Sequence, residues 1–193
     1  MLDNISKYKI ILASNSPRRK ELLSGLGIDF SIRTLSGIDE SYPSYFKGEE
    51  IPKYISGQKA KAYKEMMNDD ELIITADTIV YVEGEVLGKP TDKDDARRMF
   101  YRMSGRKHEV ITGVSIVTKD KTVQFATTTK VTFAVLTDEE IDFYIDNYHP
   151  YDKAGAYGIQ EWIGYIGITG IEGSYYNVVG LPVQRLYTEL KNF

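Results

Sequence analysis

Residues 10–23 read Ile10-Ile11-Leu12-Ala13-Ser14-Asn15-Ser16-Pro17-Arg18-Arg19-Lys20-Glu21-Leu22-Leu23, a buried-type strand, a polar turn and a helix start. Ser16 suits the cap of that helix and Pro17 its first position, where a missing N–H costs nothing. Leu22, Leu23 and Leu26 supply the apolar side, and Gly27 is a stop signal. The charges are reversed from the usual pattern. A helix N-terminus carries partial positive charge, so Arg18, Arg19 and Lys20 each stand there at a cost of roughly 0.3–1 kcal/mol. An anion docked on the free N–H groups reverses that sign, as phosphates do at helix starts. Any one of these cations can instead splay into solvent, but the whole block after a strand reads as a phosphate site.

Outward from this block the chain alternates strand and helix patterns. Residues 8–13 form the first strand and 17–26 the first helix. Residues 28–50 are irregular, with Gly37, Pro43 and Gly48 as breakers. A helix is expected over 52–67, with Ile51, Ile55, Ala62 and Met66 on one arc and Lys59 at its edge. Lys59 either snorkels there or reaches into a site between helix and sheet. Leu72-Ile73-Ile74-Thr75-Ala76 has the continuous apolar character of a strand covered on both faces. Ile79 to Leu87 reads as a hairpin turning at Glu83-Gly84, followed by a helix over 92–103 capped by Thr91 or Asp92. Residues 109–118 and 122–135 are two long paired strands rich in Val, Ile, Thr and Phe. Thr137-Asp138-Glu139-Glu140 is a capping box for a helix over 138–147, with Leu136 and Ile141 placed as a hydrophobic staple. Strands are expected again at 162–169 and 176–179. The last helix starts at Pro182, with Val183, Leu186, Tyr187 and Leu190 on one face.

A chain of 193 residues buries a sizeable core, as one domain or as two lobes sharing a cleft. Its net charge of −4 argues against a dedicated nucleic-acid binder. A cationic pocket inside an acidic protein suits a small anionic ligand better. Cysteine is absent, which excludes disulfides, thiolate metal sites and cysteine nucleophiles. With only His108 and His149, any metal is expected to be held by oxygen, which points to magnesium or manganese. No transmembrane or targeting run is visible, so the expected location is the cytoplasm.

Asp77 is the leading catalytic candidate. It is placed at the end of a buried-type strand, where ligand sites of open α/β sheets lie, and no helix follows for it to cap. It can act as base, as metal ligand, or as both. Glu40, next to Asp39, is a second carboxylate in a polar loop. Lys89, in Gly88-Lys89-Pro90, is either a turn lysine or a fixed charge for a polyphosphate. Arg18, Arg19, Lys59 and Lys89 together would supply four cations for a polyphosphate. His108 reads as a structural histidine and His149 as a surface turn residue. In Asp152 to Gln160, Gly155 and Gly158 permit close backbone approach, and the Gln160 amide can read a base edge.

The motifs Ser14-Asn15-Ser16-Pro17-Arg18-Arg19, Ala76-Asp77-Thr78, Gly88-Lys89-Pro90, Ser104-Gly105, His108 to Val114, Asp152 to Gln160, Gly173-Ser174-Tyr175 and Val179-Gly180-Leu181-Pro182 run in order along nearly the whole chain. This set resembles the Maf family of nucleotide pyrophosphatases. The resemblance implies an α/β fold over residues 1–193: an elongated mixed sheet flanked by helices around a central cleft, similar to inosine triphosphatases (the Maf/Ham1 fold). It implies a divalent metal, magnesium or manganese, at Glu40 and Asp77, with Asp77 as proton acceptor. Which of Asp39 and Glu40 faces the metal stays open. It further implies substrate contacts from Ser14, Arg18, Arg19, Lys59, Thr78, Lys89 and Gln160. Arg18, Thr78 and Gln160 match positions typical of the subfamily acting on dTTP and UTP. Asn15 departs from the commoner Gly or Ala, and Glu161-Trp162 from the commoner Gly. A homodimer without nucleic-acid or membrane partners is the expected assembly, with nucleotide house-cleaning linked to cell division as its purpose. Two rival readings are a non-catalytic nucleotide-binding regulator of septum formation, and a pyrophosphatase preferring purine or methylated guanosine triphosphates.

Overall fold

A computed structural model describes residues 2–193. Among the described residues, seven strands form one mixed sheet in the order β2-β1-β3-β5-β6-β7, with β4 paired to β3. Strand β1 (Lys9–Leu12) pairs in parallel with both β2 (Phe30–Ile32) and β3 (Glu71–Val82). Helix α1 (Pro17–Ser24) follows β1, and α2 (Glu50–Lys64) precedes β3. The short strand β2 lies in the stretch expected to be irregular. Three residues bordered by loop carry too little periodicity to stand out.

By its contacts the chain divides into two compact units. Among the described residues the first comprises those up to 77, with 112–127 and 180–193, and the second 78–111 and 128–179. In the first, the period of two along the strands separates two layers. Ile10, Leu12, Leu72, Ile74, Val114 and Ile116 pack on one face with Leu23 of α1 and with Leu186 and Leu190 of the last helix. Ile11, Ala13, Ile73 and Val117 pack on the other with Ala60, Tyr63 and Met67. Both faces are buried, which accounts for the continuous apolar runs.

Helix α2 lies close against that second layer. A Cβ on Gly113 would come within 2.2 Å of the Pro52 carbonyl carbon, so only glycine fits. Hydroxyls fill the narrow gap: Ser56 Oγ lies 3.0 Å from Ser115 Oγ, and Thr75 Oγ1 donates to the Ser56 carbonyl at 2.7 Å. The inward face is Ile51, Pro52, Ile55, Ser56, Ala60 and Tyr63, while Met66 lies past the helix end and is 54% exposed. The expected arc through Ala62 and Met66 is therefore rotated, because Ser56, Ala60 and Tyr63 turn to the sheet alongside Ile51 and Ile55. At the start of β3, Arg33 clamps Glu71 through two contacts of 2.9 and 2.5 Å. That pairing, together with donors from Asn68, holds the Glu71 carboxyl down at about 2.

Strand β3 does not stop at Asp77. It runs twelve residues to Val82 and turns back through Glu83 and Gly84, both at positive φ, into β4 (Glu85–Leu87). Helix α3 (Lys93–Met103) is capped by Asp92, whose Oδ1 accepts from the Asp95 amide at 2.8 Å. Strands β5 (Lys107–Val117) and β6 (Thr122–Phe133) are neighbours in the sheet. Helix α4 (Asp138–Tyr148) carries the full capping box, and His149 ends it in the left-handed conformation. The expected strand at 162–169 is mostly helix α5 (Trp162–Gly167), with β7 (Ile168–Glu172) beginning only after it. The expected strand at 176–179 is helix α6 (Tyr175–Val179), whose start is held by Ser174 Oγ accepting from the Asn177 amide at 3.3 Å. The β-branched and aromatic content of both stretches reads as strand, but local bonding overrides it: the Ser174 cap at α6, and at α5 the backbone bond from the Gly164 amide to the Glu161 carbonyl at 2.8 Å. Helix α7 (Val183–Lys191) closes the chain. Among the described residues, no helix is long and apolar enough to cross a membrane.

His108 is structural, as read. It is 2% exposed, and its Nε2 lies 2.7 Å from the Tyr157 hydroxyl, with the Phe133 ring edge-on at 5.0 Å. Burial pushes the imidazole down to about 4. Between pH 6.5 and 4 the unfolded chain therefore takes up a proton that the folded chain refuses, and stability falls as pH drops. The full effect is about 3 kcal/mol, reached below pH 4. Urea unfolding at pH 7 and pH 4.5 checks this. His108→Gln flattens the slope in that window, whereas the share from Glu71 is lost only at lower pH.

Candidate active site

Strand alternation places the leading carboxylate. Ile73, Thr75 and Asp77 share the face of β3 that meets α2, so Asp77 points toward the helix that carries Lys59. Lys59 Nζ lies 2.9 Å from Asp77 Oδ1 and 2.9 Å from Glu40 Oε1, bridging two carboxylates. The Lys59 and Asp77 side chains are 15% and 14% exposed, and Glu40 is 58% exposed. Lys59 does not snorkel: its ammonium turns onto the two carboxylates between α2 and β3. The structure also separates the adjacent acids. Asp39 turns back on Ser41, accepting from its amide and its hydroxyl at 2.8 Å each, and these bonds lower its pKa. Glu40 is left facing Lys59.

The carboxyl-end rule holds here through a different strand from the one expected. Pairing of β1 with β3 ends at Leu12↔Ile74, and the Ala13 amide adds a last bond to the Ile74 carbonyl at 2.9 Å. Asp77 stands past the end of β1 while β3 continues. Arg19, on the first turn of α1, fills in where β1 stops. Its Nη1 donates to the Ala76 carbonyl at 2.8 Å and its Nε to the Gly180 carbonyl at 2.9 Å. Desolvation lowers the Arg19 pKa, with Asp77 opposing. Arg19 is thus a brace on the backbone beside Asp77, as well as a candidate for substrate. Ser16 caps α1 by accepting from the Arg19 amide at 3.4 Å, and Ser14 Oγ accepts from the Ser16 amide at 3.2 Å. Arg18 is half-buried on the same turn.

The first unit therefore gathers Ser14, Arg18, Arg19, Glu40, Lys59 and Asp77 around the end of β1 and the inner side of α2. Thr78, Lys89 and Gln160 belong to the second unit. Thr78 follows Asp77 on β3 and is half-buried. Lys89 is exposed in a loop pinned by the Gly155 amide donating to the Gly88 carbonyl at 3.0 Å. Gly155 has φ of +69°, and a Cβ there would lie 2.7 Å from Val80, so the glycine is required for close approach. Gln160 is exposed in the turn before α5, and Trp162 packs against Phe143 with ring centres 4.7 Å apart. Reading the sequence missed Tyr144 and Glu161, whose hydroxyl and carboxylate bond near Gln160. Only the Asp152-Lys153 pair hinted at buried charge there.

Among the described residues, no group of three or more His, Cys, Asp or Glu is placed to hold a metal. The donor set still suits a hard cation. Glu40 and Asp77 offer carboxylate oxygens, and magnesium is commonly held by one or two carboxylates plus substrate phosphates and water.

The family described as Maf-like protein matches residues 9–193. The chain belongs to the Maf family. It is 64% identical over 191 residues to a protein of Phocaeicola vulgatus named dTTP/UTP pyrophosphatase, covering 99% of each chain. A protein of the same name from Parabacteroides distasonis is 61% identical over 193 residues, covering 100% of both. A third, from Flavobacterium psychrophilum, is 51% identical over 184 residues, 95% of this chain and 94% of that one. In fold, this Maf protein resembles the Staphylococcus aureus Ham1 protein, with a TM-score of 0.53 at 17% identity over 94% of this chain and 99% of that one. A HAM1 protein of Coxiella burnetii gives 0.51 at 12% identity, over 96% and 100%. The expected Maf/Ham1 type of mixed α/β fold is borne out.

Proposed function

We propose that this Maf protein hydrolyses pyrimidine nucleoside triphosphates, dTTP and UTP foremost, between the α and β phosphates, giving the monophosphate and pyrophosphate. The coarser activity, a nucleoside triphosphate pyrophosphatase, accords with the names of its full-length relatives. The observation that carries the reading is Lys59 held between Asp77 and Glu40 past the end of β1. Hydrolysis of a phosphoanhydride needs a water in line, a base for its proton and positive charge on the phosphate oxygens. Asp77 takes the proton from the water. The water oxygen bonds to phosphorus as the P–O bond to the leaving pyrophosphate breaks. Lys59, and Arg18 at the start of α1, would meet phosphate oxygens, and Arg19, bonded to the Ala76 carbonyl, keeps the Ala76–Asp77 backbone in place. Glu40 and Asp77 would hold magnesium or manganese, which when bound supplies charge neutralisation on the phosphates. Thr78, Lys89 and Gln160 are the substrate residues assigned to the second unit, with Gln160 reading the base. Removal of surplus or noncanonical nucleotides, and through it an effect on cell division, is the purpose we attach to the reaction.

Asp77→Asn keeps size and hydrogen bonding but removes the base. Turnover should fall by about 10²–10⁴-fold with the fold intact, read as pyrophosphate release beside circular dichroism. A folded Asp77→Asn protein with wild-type turnover would remove Asp77 from the mechanism.

Exhaustive chelation should abolish turnover, and magnesium or manganese should restore it. Full activity in a sample whose metal content is verified as nil would show that the side-chain cations suffice.

Over a panel of nucleoside triphosphates, dTTP and UTP should lead ATP and GTP. Uracil and thymine present two carbonyls flanking an N–H, which the Gln160 amide can complement in part. A wrong edge leaves polar groups unpaired at about 1–3 kcal/mol each. Gln160→Ala should narrow the preference more than it slows the best substrate. A purine triphosphate as best substrate, or an unchanged ranking in Gln160→Ala, contradicts the base reading.

A further inference from the structure

Lys153, in the second unit, is only 8% exposed and takes no part in the chemistry above. Its ammonium lies 2.8 Å from Asp152 Oδ1 and 3.1 Å from Glu161 Oε1. The other Glu161 oxygen, Oε2, accepts from the Tyr144 hydroxyl. That same hydroxyl accepts from the Gly158 amide at 2.9 Å. Tyr144 is fully buried, edge-on to Phe100 at 5.7 Å and stacked on Tyr148 at 5.0 Å, so its hydroxyl has little freedom. A buried lysine paired with a half-buried carboxylate, Glu161 at 26% exposure, is costly to desolvate and weak evidence of stability alone.

What the network encloses is a four-residue turn. The Glu161 amide donates to the Gly158 carbonyl at 3.0 Å, closing residues 158–161. Ile159 faces inward at 7% exposure, and Gln160 occupies the third place with its side chain outward. The first residue of the turn is tied to Tyr144 through its amide, and the last to Tyr144 and Lys153 through its carboxylate. A Cβ on Gly158 would lie 2.9 Å from the Glu161 carboxylate and 3.1 Å from Lys153 Cε, so the cage closes on glycine. Helix α5 presses from the other side: a Cβ on Gly164 would come within 1.9 Å of the Ile159 carbonyl oxygen.

We propose that Tyr144, Glu161 and Lys153 are positioning residues that fix the direction of Gln160 and thereby set base selectivity. The proposal rests on the base-reading role given to Gln160. An amide penalises a wrong base edge only if it cannot swing aside. A loose turn would let Gln160 retreat to solvent and forgive the mismatch, whereas a clamped one leaves it facing the wrong group. Selectivity is therefore expected to depend on residues that do not touch the base.

The test compares kcat/KM for UTP and CTP, which match in size and differ in the edge presented. It uses the full-length protein and the variants Gln160→Ala, Glu161→Ala, Tyr144→Phe and Glu161→Gln, each checked by circular dichroism and thermal melting. Glu161→Ala and Tyr144→Phe should lower the UTP-to-CTP ratio by about tenfold, with the larger share in the KM for UTP. Glu161→Gln keeps an acceptor for Tyr144 and should retain more of the ratio than Glu161→Ala. If Glu161→Ala does not fold, Tyr144→Phe and Glu161→Gln carry the comparison. A ratio lowered by Gln160→Ala but unmoved by the network variants, even with reduced melting temperatures, overturns the positioning role and leaves Gln160 as reader. A ratio unmoved by Gln160→Ala overturns the reading of Gln160 and the positioning role with it.

Discussion

The ending of β1 at Leu12 while β3 runs on to Val82 is the constraint from which the candidate site follows. A strand that loses its neighbour midway presents unpaired carbonyls and exposes side chains that pairing would have covered. The protein uses both consequences. The Ala76 carbonyl is taken by the Arg19 guanidinium, so the backbone next to Asp77 keeps a partner without β1. The side chain of Asp77 is left with room on the α2 face, where Lys59 meets it. Arg19 comes from the same turn that follows β1, so one local event, strand end into helix start, makes the gap and braces it.

Much of this was legible in the sequence because it is local. The Ser16 cap, the Pro17 start, the Thr137 capping box and the Glu83-Gly84 turn each depend on residues within a few positions of one another, and all are present. Asp77, Lys59 and Glu40 are grouped in sequence only by the family resemblance; residue patterns alone do not reveal their meeting. It requires the parity of β3 and the rotation of α2, and that rotation was misjudged because Ser56 and Gly113 pass as unremarkable residues until sheet and helix are seen together. The stretches 162–167 and 175–179 failed for the opposite reason. Their composition favours strands, while hydrogen bonds such as Gly164 N–H to the Glu161 carbonyl select helix. Glu161 appeared only as a departure from the Maf pattern. Its bonds to Tyr144 and Lys153 join positions seventeen and eight residues apart, beyond any local rule.

The close seating of α2 has a consequence for how this protein can change. Ser56, Gly113 and Ser115 fill one gap, and a carbon added at Gly113, within 2.2 Å of the Pro52 carbonyl carbon, cannot be absorbed where it stands. The cheapest accommodation is for the helix to lift, and Lys59 lifts with it. Displacements on the order of 1 Å at a reacting group can cost about a hundredfold in rate. Evolution along this seam should therefore be concerted, enlargement on one wall tolerated only with shrinkage on the other, and the effects of single and paired changes should be far from additive. Residues chosen for their smallness, out of reach of any ligand, set the stroke of the ammonium that meets Asp77.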